Sequence, residues 1–167
     1  MTFRLRPLGE PDIAAVLAIQ AESYAEALLE SAEIIRQRLA SFPELAWGAE
    51  DAEGVCASLF GYRSRAGKVT PLDGAFAEPE ASDCLYLHDL AVSRRAAGRG
   101  IGPALVQRLL EHGRASRLKY SALVSVQDSQ AFWSRLGYAT TRELEHSQQR
   151  NLDSYGVPAV YMVRPLH

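Results

Sequence analysis

Residues 87–105 read Leu87-His88-Asp89-Leu90-Ala91-Val92-Ser93-Arg94-Arg95-Ala96-Ala97-Gly98-Arg99-Gly100-Ile101-Gly102-Pro103-Ala104-Leu105. The run Cys84–Val92 is apolar apart from His88 and Asp89, and it predicts a central strand. A turn that holds three glycines follows and opens a helix predicted over 100–114. Glycine lets backbone N–H groups converge on one anion, and a helix N-terminus adds unpaired N–H donors with partial positive charge. The stretch therefore predicts a strand–turn–helix unit that binds a phosphate or pyrophosphate.

Two common nucleotide-binding motifs do not fit this turn. A P-loop would end in Gly-Lys-Ser/Thr, whereas Gly102 is followed by Pro103-Ala104. A Rossmann turn would hold its glycines close to the strand and would be followed by an acid at the end of the next strand. Here five residues separate Val92 from Gly98, and the strand predicted from Tyr120 has no acid at its end. An ordinary glycine-rich turn is the remaining alternative.

The rest of the chain predicts alternating strands and helices around this unit. The expected order is β-α-α-β-β-β-α-β-α-β-β, a mixed sheet with helices on its faces. The expected strands are 3–8, 45–49, 55–63, 84–92, 120–126, 138–144 and 159–164. The expected helices run from Pro11 to about Ala25, from after Ser31 to before Pro43, and over 100–114. A fourth, short helix is expected with Asp128 as its cap and Gly137 in the C′ position. Residues 65–82 have no periodicity, which is typical of a functional or disordered connection.

Composition narrows the class of protein. The 167 residues are 47% hydrophobic and 23% charged, which is typical of a single globular domain, expected over 1–167. The net charge of −2 argues against a nucleic-acid-binding protein. No run of ~18 apolar residues predicts a membrane span, and the charged N-terminus is unlike a signal peptide. Two cysteines, Cys56 and Cys84, suggest reduced thiols, so we expect a soluble cytoplasmic protein.

The strand–turn–helix unit resembles the GNAT superfamily of N-acetyltransferases. The family signature Gln/Arg-x-x-Gly-x-Gly/Ala follows a strand that ends in Leu-x-Val, as Ala97–Gly102 follows Leu90-Ala91-Val92 here. Phe132–Tyr138 is similar to the family's later Phe-Tyr-x-x-x-Gly-Phe segment. The resemblance covers nearly the whole chain. It implies an α/β fold with a mixed, mostly antiparallel central sheet of six to seven strands and helices on both faces, the acyl-CoA N-acyltransferase fold.

The resemblance also implies a reaction and its participants. The reaction is direct transfer of an acetyl group in a ternary complex, without a metal. Its participants are acetyl-CoA (coenzyme A) as co-substrate and a small-molecule or peptide amine as acceptor. A homodimer is left open, and neither nucleic acid nor membrane is expected as a partner. The expected cofactor-binding residues are Leu90, Ala91, Val92, Arg94, Arg95, Ala97, Gly98, Arg99, Gly100, Ile101, Gly102, Ser129 and Phe132. The three arginines would supply mobile positive charge for a ligand with several phosphates.

Three positions depart from the family pattern. The leading Gln/Arg of the signature is Ala97, so Arg94 or Arg95 would have to replace that contact. The tyrosine that protonates the leaving thiolate aligns with Trp133, whose indole N–H donates a hydrogen bond but supplies no proton at neutral pH. The family's asparagine is Val126. These departures support an alternative function, a non-catalytic acyl-CoA-binding or sensing module.

Candidate catalytic residues come from the central strand and from a loop. Adjacent strand residues point to opposite faces, so His88 and Asp89 share a cleft only at a bulge, which the family carries here. The imidazole of His88 is suited to deprotonate an ammonium acceptor through water, with Asp89 or solvent as the alternative base. For either residue, a hydrogen-bonded core group is the other interpretation. A backbone N–H at the bulge, assigned to Leu90, would bind the carbonyl oxygen. Tyr155 is the candidate acid, although a surface tyrosine is the alternative.

Three residues near the end of the first helix are candidates for acceptor binding. Glu22, Tyr24 and Glu30 lie where the family shapes its acceptor pocket. Acidic groups there would attract a cationic amine, and solvated helix charge is the alternative explanation. Cys84 has no basic neighbour in sequence, so we expect a structural role for it.

Overall fold

The computed structural model describes residues 2–167 and contains seven strands in one sheet. The strands are β1 (Arg4–Pro7), β2 (Ala46–Asp51), β3 (Gly54–Ser64), β4 (Cys84–Val92), β5 (Tyr120–Val126), β6 (Ala139–Thr140) and β7 (Ala159–Pro165). The α-helices are α1 (Ile13–Ser23), α2 (Ala32–Ser41), α3 (Ile101–Ala115), α4 (Gln130–Arg135) and α5 (His146–Asp153). The sheet order is β1-β2-β3-β4-β5-β7-β6, and every pair is antiparallel except β4–β5.

Helices cover both faces of the sheet. On β3, a Cβ added to Gly61 would lie 3.0 Å from Leu109 of α3, while the ring of Tyr62 lies 5.6 Å from that of Phe42, just after α2. Because neighbouring strand residues face opposite ways, α3 and the end of α2 lie on opposite faces. The fold class expected from the sequence is confirmed.

Several predicted elements have the expected bounds. β4 begins and ends where the apolar run does, and Ser31 caps α2 by accepting a hydrogen bond from the N–H of Ile34 at 3.2 Å. The hairpin of β2 and β3 forms around the predicted turn at 51–54. Residues 65–83 contain no helix or strand, as predicted.

Other elements differ from the prediction. The first helix ends at Ser23, two residues earlier than predicted. Helix α4 begins after Ser129 and not directly after Asp128, because Asp128 has a left-handed φ of 59°. The strand predicted over 138–144 shortens to the two residues of β6. Helix α5 was not predicted, since its sequence has no apolar stripe and buries only Leu152. Within the described residues, no helix is long and apolar enough to span a membrane.

Candidate active site

The cleft of the molecule forms where β4 and β5 separate. The two strands pair only between Cys84–Tyr86 and Tyr120–Ala122, and beyond this point β4 stays with β3 while β5 stays with β7. The gap opens into a cleft of about 810 Å³. Its walls are residues of β4 and β5, the glycine turn, the start of α3, and α4.

A β-bulge on β4 forms the inner end of this cleft. Ser58 of β3 pairs with Ala91, and Phe60 pairs with His88. An advance of two residues along β3 therefore lies opposite an advance of three residues along β4. The extra residue is accommodated at Asp89, which has a φ of 66°. The bulge implied by the family resemblance is therefore present, and it lets adjacent His88 and Asp89 both line the cleft.

The glycine turn lies at the outer end of the cleft. Gly98 and Gly100 have φ values of 76° and 75°, and Gly100 is the N-cap of α3. No atom lies within 4 Å of a Cβ added at either position, so the left-handed backbone rather than crowding favours glycine. The first N–H groups of a fifteen-residue helix thus open beside the cleft, which is the geometry of an anion site.

Twelve of the thirteen predicted cofactor residues line the cleft; the exception is Arg95. The expectation of mobile positive charge is wrong for two of the three arginines. Nη1 of Arg95 lies 2.6 Å, and Nη1 of Arg99 lies 3.0 Å, from the buried carboxylate of Asp51 at the end of β2. Arg99 lines the cleft nevertheless, and Arg94 reaches back to the carbonyl of Glu22.

Sequence reasoning missed one cation of the cleft. Arg135 is exposed, lines the cleft, and has no ion pair among the described residues. It lies three positions after Phe132 on α4, and residues at this spacing share a helix face. Because Phe132 packs 3.4 Å from a Cβ added at Gly102, that face is turned toward the glycine turn. The i, i+3 spacing was the signal that could have identified it.

Asp89 is held by the first helix. Oδ2 of Asp89 accepts a hydrogen bond of 2.7 Å from Nε2 of Gln20, while Oε1 of Gln20 accepts one from the backbone N–H of Glu30. Desolvation, and then the nearby Glu30 carboxylate, raise the pKa of Asp89 well above its usual value, with Arg38 opposing. Burial and the neighbouring Glu30 carboxylate therefore both disfavour the ionised form of this carboxyl group.

His88 is held by a buried carboxylate on the other side. Nε2 of His88 lies 3.0 Å and 3.2 Å from the two carboxylate oxygens of Glu30. Arg38 donates to both oxygens at 2.7 and 2.8 Å, and the N–H of Asp73 donates at 2.7 Å. Desolvation would raise the pKa of Glu30, but His88 and Arg38 together hold it below its usual value. Glu30 is thus an ionised partner of His88 that does not line the cleft.

The other two predicted acceptor residues line the cleft but are already hydrogen-bonded. The Glu22 carboxylate accepts hydrogen bonds from the Ser93 hydroxyl and from the backbone N–H of Arg94, both at 3.1 Å. The Tyr24 hydroxyl donates to the carbonyl of Leu90 at 2.6 Å, and desolvation raises the pKa of the phenol. Both side chains therefore join the first helix to the bulged strand and the turn after it.

Tyr155 is not a surface residue, and it does not line the cleft. It is buried, and its hydroxyl donates to the carbonyl of Thr70 at 2.8 Å. Burial raises the pKa of this phenol above its usual value. Its part in proton transfer stays a prediction, but the hydroxyl proton already has an acceptor in the fold.

Trp133 and Cys84 take structural positions. The Trp133 ring lies edge-on to those of Phe132 and Tyr138, at 5.0 and 5.5 Å, and forms part of the cleft wall. Cys84 is buried, and desolvation raises the pKa of its thiol to about 12, which keeps it protonated and unreactive.

The structure is similar to solved acyltransferase folds. The GNAT-like decarboxylase GphF, in complex with isobutyryl-CoA, is 15% identical with a TM-score of 0.78, and the match covers 98% of this chain and 100% of that one. Ard1 from Thermoplasma volcanium is 20% identical with a TM-score of 0.75, over 99% and 98%. The ribosomal-protein-S18-alanine N-acetyltransferase from Escherichia coli is 15% identical with a TM-score of 0.67, over 99% and 94%. At these identities the likeness shows the fold.

The family itself is shown by sequence. No curated protein matches the chain at a significant level. A family model described as Acetyltransferase (GNAT) family matches residues 13–138, well over half of the 167 residues. The match includes both ends of the cleft, from the bulge of β4 through the glycine turn to Trp133. The chain therefore belongs to the GNAT family of acetyltransferases.

Proposed function

We propose that the protein transfers an acetyl group from acetyl-CoA to the amine of a small molecule or peptide, directly and without a metal. The observation that carries this proposal is the continuity of the cleft from the glycine turn to the bulge. A thioester bound with its pyrophosphate at Gly98–Gly102 could extend its arm between β4 and β5 and present its carbonyl near His88 and Asp89. The isobutyryl-CoA in the GphF structure supports an acyl-CoA ligand for this fold.

The residues of the turn fit a ligand with several phosphates. Backbone N–H groups of the turn and of the first turn of α3 would hold the pyrophosphate. Arg99 and the exposed Arg135 add positive charge along the same cleft, and Asp51 fixes the position of Arg99. A charge held in place loses less conformational entropy when it binds a phosphate than a mobile one does.

His88 is the residue that would deprotonate the acceptor. Since Glu30 is ionised and already accepts from Arg38, an imidazole with a single ring hydrogen would carry it on Nε2 and donate it to Glu30. Nδ1 makes no hydrogen bond within residues 2–167, yet it is not sealed from solvent, and His88 lines the cleft. In that tautomer Nδ1 presents a free lone pair, which is the arrangement of a general base oriented by a carboxylate.

Positioning supplies the rest of the rate enhancement. Holding an amine and a thioester in reactive geometry can lower a barrier by ~7–11 kcal/mol. The backbone N–H of Leu90 at the bulge is our candidate for a hydrogen bond to the carbonyl oxygen as it gains charge. A cytoplasmic location is proposed with this function, and the two free, buried cysteines support it.

The test combines binding with transfer. Calorimetry with CoA and radiolabelled acetyl-CoA against a panel of amino acids, polyamines and peptides would measure both activities. We expect CoA binding and transfer to at least one amine, with His88→Ala lowering kcat/KM by roughly 10²–10⁴. CoA binding without transfer to any amine would instead favour the non-catalytic module, the alternative that Trp133 supports. No CoA binding would refute both functions.

A further inference from the structure

The family's proton donor is replaced by Trp133, so the leaving thiolate has no tyrosine beside it in the sequence motif. We infer that Asp89 is the general acid, donating the proton on its Oδ1 to the sulfur of the departing thiolate. This inference rests on the proposed transfer reaction and adds a residue role to it. It gives the two neighbouring residues of the bulge opposite tasks, with His88 as the base.

The first support is the hydrogen bonding of the carboxyl group. The N–H of Glu30 donates to Oε1 of Gln20, which leaves Nε2 of Gln20 to face Asp89 and donate to Oδ2. Oδ1 makes no hydrogen bond within residues 2–167, and it is not sealed from solvent. One oxygen is therefore fixed by the fold, while the other is free to carry a proton in a residue that lines the cleft.

The second support is the charge around Asp89. Glu30 is ionised nearby, and Arg38, the cation that opposes the rise in the pKa of Asp89, is engaged with Glu30 and with the carbonyl of Gly74. Tyr24 on the adjoining helix end donates its hydroxyl proton to Leu90, not to Asp89. A carboxylate with a single donor beside another carboxylate favours the neutral acid, and the raised pKa of Asp89 agrees.

The different surroundings of His88 and Asp89 give each residue one of the two proton transfers. The amine nitrogen forms a bond to the thioester carbonyl carbon, and His88 Nδ1 takes the proton that the nitrogen loses. The carbon–sulfur bond breaks with its electron pair on sulfur, and Asp89 Oδ1 supplies the proton that makes the free thiol. His88 then holds one proton too many and its neighbour Asp89 one too few, so return of that proton restores both groups.

Asp89→Asn is the decisive variant. Asparagine tolerates the left-handed backbone and can accept the Gln20 hydrogen bond, but it has no acidic proton to give. We expect kcat for acetyl transfer to fall by roughly 10²–10⁴ while the Kd for CoA stays within about twofold. Asp128→Asn is the matched control, because Asp128 also has a positive φ yet does not line the cleft. It should leave both quantities unchanged.

Two readouts separate an acid from a structural residue. In the wild type with CoA bound, the ¹³Cγ NMR signal of Asp89 should report a protonated carboxyl at pH 7. The kcat of the wild type should decline at high pH as this proton is lost, and Asp89→Asn should lack that decline. An ionised Asp89 at pH 7, or full kcat in Asp89→Asn, would overturn this inference but not the proposed function. Full kcat in Asp89→Asn together with a lower kcat in Tyr155→Phe would assign the role of general acid to Tyr155. A wild type that transfers to no amine would overturn the proposed function, and the acid role with it.

Discussion

The guanidinium of Arg99, on the glycine turn, lies 3.0 Å from the Asp51 carboxylate at the end of β2. The same carboxylate holds Arg95 at 2.6 Å, so one acidic side chain ties the turn to the sheet. These arginines are hydrogen-bonded before any phosphate arrives. The position of the turn, and not only its backbone conformation, therefore depends on Asp51.

Asp51→Asn should destabilise the protein at neutral pH. The Arg95 hydrogen bond, aided by that of Arg99, lowers the pKa of Asp51 from 3.8 to about 2 against desolvation. A lowered pKa in the folded state stabilises the fold above the unfolded value and loses that effect as pH falls toward 2. The difference in urea midpoint between wild type and Asp51→Asn should therefore be largest above pH 4 and shrink between pH 4 and 2. Glu53→Gln, at the exposed Glu53 that also contacts Arg95, should change little.

Gly100→Glu should remove CoA binding. A side chain at Gly100 would stand where the turn opens to the cleft, and its negative charge would repel a phosphate. Gly156→Glu is the matched control. Gly156 also has a left-handed φ, of 68°, and open space around it, but it lies outside the cleft. Both variants should lose about 1–2 kcal/mol of stability. Only Gly100→Glu should weaken CoA binding in calorimetry, by about a hundredfold or more; equal affinities would refute the anion site.

The local parts of the fold could be predicted from the sequence, and the non-local parts could not. The β4 strand, the Ser31 cap and the glycine turn are encoded by neighbouring residues. Helix α5 is held by bonds to a distant segment, since Gln148 and Asn151 contact the backbone of Val69. Its sequence therefore shows no apolar period.

The same distinction applies to the site. The anion-binding turn is contiguous, so its residues were found together. Glu30 was assigned to the acceptor because its partners, Arg38 and His88, are 8 and 58 residues away in sequence. Asp51 was missed for the same reason, since it lies 48 residues from Arg99. The spacing of residues in the sequence does not predict which side chains pair across the sheet.

Glu30→Gln should cost stability as well as activity. The substitution leaves Arg38 buried without its ionised partner, which costs about 3–5 kcal/mol. Adding Arg38→Met removes the unpaired charge, so the double variant should recover most of this loss in denaturant unfolding. Glu26→Gln, in the same segment between α1 and α2 but exposed, should have no effect.

The double variant also tests the orientation of His88. A glutamine at position 30 can donate to Nε2 as well as accept from it, so the imidazole is no longer held with its hydrogen on Nε2. We expect ¹⁵N NMR to show His88 with Nε2–H in the wild type and a mixture in the double variant, with lower kcat. An Nδ1–H form in the wild type would refute Nδ1 as the base.

Asp89→Asn should change stability with pH in the direction opposite to Asp51→Asn. Desolvation and the Glu30 carboxylate raise the pKa of Asp89 in the folded state above its unfolded value of about 4. The folded protein therefore keeps a proton that the unfolded chain releases, and this group makes the wild type less stable as pH rises above 4. Asparagine mimics the protonated acid at every pH, so the variant does not share that loss.

The free energy of unfolding of Asp89→Asn, measured in urea from pH 3 to 9, should match the wild type within about 0.5 kcal/mol below pH 4. It should then exceed the wild type by an amount that grows with pH. Since Glu30 and Arg38 are present in both proteins, their own titration largely cancels in the difference. A difference that does not vary with pH would mean that Asp89 ionises alike in the folded and unfolded chains, and the cleft would then hold no carboxylic acid to donate.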